Sequence, residues 1–208
     1  MTGPSTAGQH LAPVTDQLTR GLEGFSERWM PQASELDDFL ERWLQAWNSH
    51  SLDQLEQLVT GDIVWEDPAM LGETVHGRRE FGAFSEILFR AMPDVRFDGI
   101  GEPYLALGGT GLALVWRMTG TFSGELAFWG GRYGSQPPTW APTGRRVDLQ
   151  GVDIYEFRDG LIARWRIVYD LYELMQQLAL MPAARNVPRA VLRAQRLIAG
   201  VQRRRRAA

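Results

Sequence analysis

Cysteine and lysine are both missing from this 208-residue chain. The first absence excludes disulfides and thiolate metal sites. The second excludes Schiff-base chemistry on a lysine amine. Histidine is scarce, and His10, His50 and His76 are too scattered to suggest a metal cluster. No apolar run approaches membrane-spanning length. The N-terminus lacks a charged-then-apolar leader pattern, so the expectation is a soluble cytoplasmic protein. Acidic residues are absent from the end of the chain, where residues 185–208 hold eight Arg and no Asp or Glu.

What the chain does have is aromatic: 8 Trp, 9 Phe and 5 Tyr within 44% hydrophobic residues. That composition, at this length, predicts one domain with a substantial core and terminal arms. The formal charge of −3 is unevenly spread. Outside the tail, 14 Arg face 25 acids, which makes the body −11 and the end basic. The expected division is an N-terminal arm over 1–33, a domain over 34–182 and a basic amphipathic tail over 183–208.

Residues 1–16 read as a disordered arm rich in Gly, Pro, Thr and Ser. Leu18, Leu22, Phe25 and Trp29 then follow at helical spacing. Ser34 with Asp37 resembles a helix-start signal. Leu36, Phe39, Leu40, Trp43, Leu44 and Trp47 give the clearest amphipathic helix. Leu52, Leu55 and Leu58 mark a second, short one. The strand Asp62–Pro68 comes next, with Trp65 and Asp67 on one face and Val64 and Glu66 on the other. Pro68 ends its pairing, having no N–H to give. Phe81, Phe84, Ile87, Leu88 and Met92 predict a helix stopped by Pro93. Val95–Leu107 and Leu112–Phe122 read as strands about a Gly108-Gly109 turn. Residues 123–144 are too long for a hairpin turn and predict a lid or a disordered insertion. Arg146–Phe157 and Leu161–Tyr169 are two more strands, joined at Arg158-Asp159-Gly160. A helix over Leu171–Leu178 closes the domain. Helices first and a mostly antiparallel sheet afterwards predict an α+β fold, with helices on one face of a curved sheet.

With these elements in place, the chain resembles the nuclear transport factor 2-like superfamily over roughly residues 34–182. Arg42 to Asn48 and Trp65-Glu66-Asp67-Pro68 look like the start of ketosteroid isomerases. Pro142 to Val147, Gly151 to Gly160, Trp165 and Asp170-Leu171 are similar to SnoaL-like polyketide cyclases and limonene epoxide hydrolase. The resemblance implies a cone-shaped, mostly antiparallel sheet with helices on its concave face around an apolar pocket. It also implies acid–base chemistry without cofactor or metal. Asp67 falls at the isomerases' general base and Asp153 at their protonated, hydrogen-bond-donating acid. Trp43 stands at their oxyanion tyrosine. Ile167 stands where the cyclases and the epoxide hydrolase carry a catalytic Asp.

Strand parity predicts which side chains meet. Trp65 with Asp67, Leu114 with Trp116 and Met118, Asp153 with Tyr155, and Trp165 with Ile167 and Tyr169 each share a face. If those faces are concave, an aromatic-walled pocket holds two carboxylates. Burial and mutual repulsion then raise at least one pKa, leaving one acid as donor and the other as base. The catalytic expectation is therefore Asp67 as base, Asp153 as proton donor and Trp43 as an auxiliary donor or pocket wall. Trp65, Trp116, Met118, Tyr155, Trp165, Ile167 and Tyr169 are the expected substrate-binding wall. In the competing reading these faces are plain core and Asp153 pairs with Arg164 or Arg166.

The expected activity is isomerisation or cyclisation of an apolar polycyclic or polyketide-like molecule. The alternatives are a non-catalytic binding or dimerisation module and an epoxide hydrolase. Trp129, Tyr133 and Trp140 are candidates to close over a ligand, and His50 reads as a surface residue. The expected partners are the apolar substrate, a second copy in a homodimer and an acidic partner for the basic tail. Nucleic acid and a membrane surface rank behind these.

Overall fold

The computed structural model describes residues 33–106, 110–130, 136–182 and 184–207. The helical pattern of Leu18 to Trp29, Tyr133 and the Gly108-Gly109 turn lie outside the described residues.

Helix α1, Ala33–Asn48, carries the amphipathic stripe and begins one residue before Ser34. It is followed by α2, Leu52–Gln57, whose N-cap Ser51 accepts from the Gln54 N–H. Strand β1, Val59–Glu66, leads into a 3-10 turn at Pro68–Met70. Short β2, Val75–His76, then enters α3, Gly77–Ala91. The strand expected over Val95–Leu107 is two strands, β3 (Arg96–Gly99) and β4 (Tyr104–Leu105). Gly101 at φ +68° and Pro103, which has no N–H, account for the interruption. Strand β5 is Gly111–Thr121. The segment from 123 to 144 contributes a small hairpin of β6, Leu126–Ala127, and β7, Thr139–Trp140. The long strands β8, Arg146–Arg158, and β9, Leu161–Tyr169, lead into α4, Leu171–Gln177. Helix α5, Val187–Ala207, ends the described chain.

The main sheet runs β2-β1-β9-β8-β5-β3, with β4 also on β5. All pairs are antiparallel except β1 with β9. One face of this sheet is buried in strict alternation along β5 and β8, as expected when one face meets a core and the other water. Trp43 and Trp47 of α1 lie over that face, with ring centroids 5.2 and 5.6 Å from Trp165. Trp65 and Trp165, partners in the parallel register, stack at 4.3 Å and 8°. Aromatic pairs of this kind contribute about 0.5–1.5 kcal/mol each beyond area burial.

Two local features shape the surroundings of the site. Gly151 pairs with Trp116, and a Cβ on it would lie 2.6 Å from the indole Cη2. Only glycine leaves room for that ring to cross the sheet toward Tyr169. The Asn48 side chain brackets Phe97, donating to its carbonyl at 2.8 Å and accepting from its N–H at 2.7 Å. It fastens the end of α1 to β3. His50, read from the sequence as a surface residue, is half-buried, stacks on Phe89 at 4.4 Å and bonds the Val95 carbonyl through Nε2 at 3.1 Å.

Candidate active site

Three strands present one row of side chains to the interior. Asp153 pairs with Leu114 on one side and Ile167 on the other. Extending the register of Glu66 with Arg166 by one residue brings Asp67 beside Ile167. The row therefore reads Asp67, Ile167, Asp153, Leu114, with the two acids two strands apart, or roughly 10 Å between backbones. A cavity of about 160 Å³ opens over this row. Asp67, Asp153 and Trp43 all line it, as do Trp65, Trp116, Met118, Tyr155, Trp165, Ile167 and Tyr169.

Asp67 caps the turn at Pro68–Met70, and its Oδ1 accepts from the Ala69 N–H at 2.7 Å. The same oxygen accepts from the Tyr169 hydroxyl at 2.7 Å. Oδ2 has no hydrogen-bond partner among the described residues. Although Asp67 is only half-buried as a residue, its carboxyl sits in the cavity wall. Desolvation raises its pKa above 3.8, against the pull of Tyr169 and Ala69. The Tyr169 hydroxyl is itself pushed up by burial and by the Asp67 charge, so it stays a donor.

Asp153 is 6% exposed. Its Oδ2 accepts from the Tyr155 hydroxyl at 2.5 Å, and Tyr155 in turn accepts from the Trp43 indole N–H at 2.9 Å. Burial drives the Asp153 pKa from 3.8 to about 7, and the Asp67 charge adds to that rise. The Tyr155 hydroxyl and the Trp165 and Trp116 N–H groups pull the other way. Neither indole reaches hydrogen-bonding geometry, however, and Oδ1, Trp116 Nε1 and Trp165 Nε1 are all buried without partners among the described residues. Burial holds the Tyr155 hydroxyl well above 10.

Trp43, expected as an auxiliary donor or as pocket wall, lines the cavity. Its N–H is engaged by Tyr155, so it acts on Asp153 through Tyr155 and is not free to meet a ligand. Tyr155, expected only as wall, is the group that joins them. Among the described residues Asp153 has no arginine partner: Arg164 and Arg166 pair with Glu66 on the opposite face, at 3.6 and 2.8 Å. Ion pairing with Arg166 holds the Glu66 carboxyl below its usual range.

The sequence reading left out Leu126, Ala127 and Phe128, which also line the cavity. They come from the segment read as a lid or a disordered insertion, and no periodicity marks them. Trp140 of the same segment lines the cavity as well, whereas Trp129 packs on Phe84 at 5.4 Å. Leu171, Leu174, Met175 and Leu178 close the remaining side from α4 and its C-cap.

With the cavity and its acids placed, comparison with known proteins identifies the family. The model of the SnoaL-like polyketide cyclase family matches residues 37–178. The chain belongs to this family. No protein of curated function matches it. Solved structures with the same fold include a provisionally assigned SnoaL-like polyketide cyclase from Jannaschia sp. CCS1. That protein is 20% identical, with 70% of this chain and 92% of that chain covered and a TM-score of 0.53. AclR from Streptomyces galilaeus, provisionally assigned as a hydroxylase, is 20% identical over 84% of this chain and 98% of its own, with a TM-score of 0.54. A protein of ketosteroid isomerase-like fold from Catenulispora acidiphila, solved with trimethylamine, is 19% identical over 69% of this chain and 93% of its own, with a TM-score of 0.53. The nuclear transport factor 2-like cone is thus the fold of this SnoaL-like chain. Ile167 remains a departure from the cyclase pattern noted in its sequence.

Proposed function

We propose that this chain is a cofactor-independent acid–base isomerase or cyclase acting on an apolar, carbonyl-bearing polycyclic or polyketide-like molecule. One observation carries the reading: two carboxyls with raised pKa values, Asp67 and Asp153, share one cross-strand row in the wall of a mainly apolar cavity. Oδ2 of Asp67 takes a proton from a carbon beside a carbonyl. The electron pair moves onto the carbonyl oxygen, and protonated Asp153 hydrogen-bonds the developing enolate. Return of the proton at another carbon gives an isomer. Attack of the enolate carbon on a second carbonyl carbon closes a ring, and the proton returns to the alkoxide oxygen formed there. Tyr155 holds the Asp153 carboxyl in place, and Tyr169 does the same for Asp67.

The test is solvent deuterium exchange, with β,γ-unsaturated ketones and linear polyketones as probes. Exchange at the carbon beside the carbonyl, with turnover of at least one probe, is the expected result. Tight binding of several probes with no exchange in any would make the pocket a binding module instead. AclR, with its hydroxylase assignment, is a reminder that this cone accommodates more than one reaction.

We also propose a homodimer through the outer sheet face. Val115, Val152 and Val168 lie in register there, and Ile154 and Val168 are 43% and 50% exposed. The Glu66 pairs with Arg164 and Arg166 give that patch charges of both signs for a twofold partner. Sedimentation of Val168→Arg as a monomer beside a wild-type dimer would support this interface; a wild-type monomer would exclude it.

A further inference from the structure

Helix α5 takes no part in the pocket chemistry. Its 21 residues span roughly 30 Å at the α-helical rise. Val191, Leu192, Leu197 and Ile198 are 58, 54, 71 and 58% exposed. Arg189, Arg193, Arg196 and Arg203 are exposed as well. At the angular spacing of an α-helix, Leu197, Ala194, Ile198 and Val191 fall on one arc. The four arginines fall on the opposite arc, with Leu192 at its border. No Asp or Glu follows Glu173 in the chain.

Both arcs are open at once, and this decides what the helix fits. An acidic protein surface would meet the arginines and leave Val191 and Ile198 in water. A second α5 packed along the apolar arc would bring two helices of like charge together. An anionic lipid interface satisfies both arcs. The apolar arc enters the acyl boundary, and arginine stems bend back to place their guanidinium groups among the phosphates. The body at −11 is held off the same surface, which orients the protein. Among the described residues no helix is long and apolar enough to cross a membrane, so this is contact along a surface. We infer that α5 is an interfacial anchor that lays the protein on an anionic lipid surface. The sequence reading ranked an acidic protein partner above a membrane; the simultaneous exposure of both arcs reverses that order.

Co-sedimentation of the full chain with vesicles tests this. Vesicles of phosphatidylcholine mixed with phosphatidylglycerol should bind the protein, and phosphatidylcholine alone should not. Binding should weaken as salt rises toward about 0.5 M. Replacing Arg189, Arg193 and Arg196 together by Gln should lower partitioning on the order of a hundredfold, about fivefold for each charge. Replacing Val191 and Ile198 together by Asn should weaken binding with the charge unchanged. Equal binding to both vesicle types, or to neither, overturns the anchor. So does anionic binding that survives the double Asn substitution, which would make the tail a general polyanion contact. Self-association that those substitutions abolish, without vesicle binding, assigns the arc to a second copy and also overturns it.

Discussion

Asp67→Asn is expected to lower turnover of any ketone substrate by roughly 10²–10⁴-fold, the usual contribution of a positioned general base. Asn keeps the shape and still accepts from Tyr169 and Ala69, so substrate affinity should change little. The loss belongs in kcat, because the proton is in flight only in the transition state. The pH profile supplies an independent check. A base works ionised, so the acidic limb of kcat/KM should report the Asp67 carboxyl, and burial places that limb above 3.8. Unchanged turnover in Asp67→Asn would remove this residue as the base.

Asp153→Asn is expected to remove a pH dependence of stability. Below about pH 4 this carboxyl is protonated in both the unfolded and the folded chain. Between about pH 4 and about 7 the unfolded carboxyl is ionised while the folded one keeps its proton, because burial holds its pKa at about 7. Folding therefore takes up a proton in this window, and stability falls as pH rises through it. The loss from this one group is on the order of 4 kcal/mol, complete once pH exceeds the folded pKa. Asp62, Glu66, Asp94 and Asp148 have lowered pKa values and run the other way. Their contribution disappears only on acidification toward and below the usual carboxylate range. Denaturant titrations at about pH 5 and about pH 8 avoid that region. The wild type should lose stability between them, and Asp153→Asn should lose much less. Identical differences in both proteins would show that Asp153 is ionised in the fold.

The faces of the strands could be read from the chain because alternation is local. Each of Trp65, Trp116, Asp153, Tyr155 and Trp165 points to the side its parity requires. The amphipathic stripe on α1 likewise placed Trp43 and Trp47 inward. The splitting of β3 from β4 was less legible, since apolar spacing runs on through Gly101 and Pro103. The hydrogen-bond partner of Trp43 was not legible for a different reason. Its partner Tyr155 lies 112 residues away, and no spacing rule fixes which hydroxyl an indole will meet.

The amino-acid sequence by itself determined the order of helices and strands and which side chains share a face. These follow from periodicities of two and 3.6 residues, which any short stretch displays. Tertiary structure alone decided that Asp67 and Asp153 flank Ile167 in one row, because β1 meets β9 in a parallel pairing across a hundred residues. It also decided that each acid faces a tyrosine and, among the described residues, neither an arginine. Proton affinity depends on burial and on neighbours within a few ångströms, and both exist only after distant strands have closed on one another.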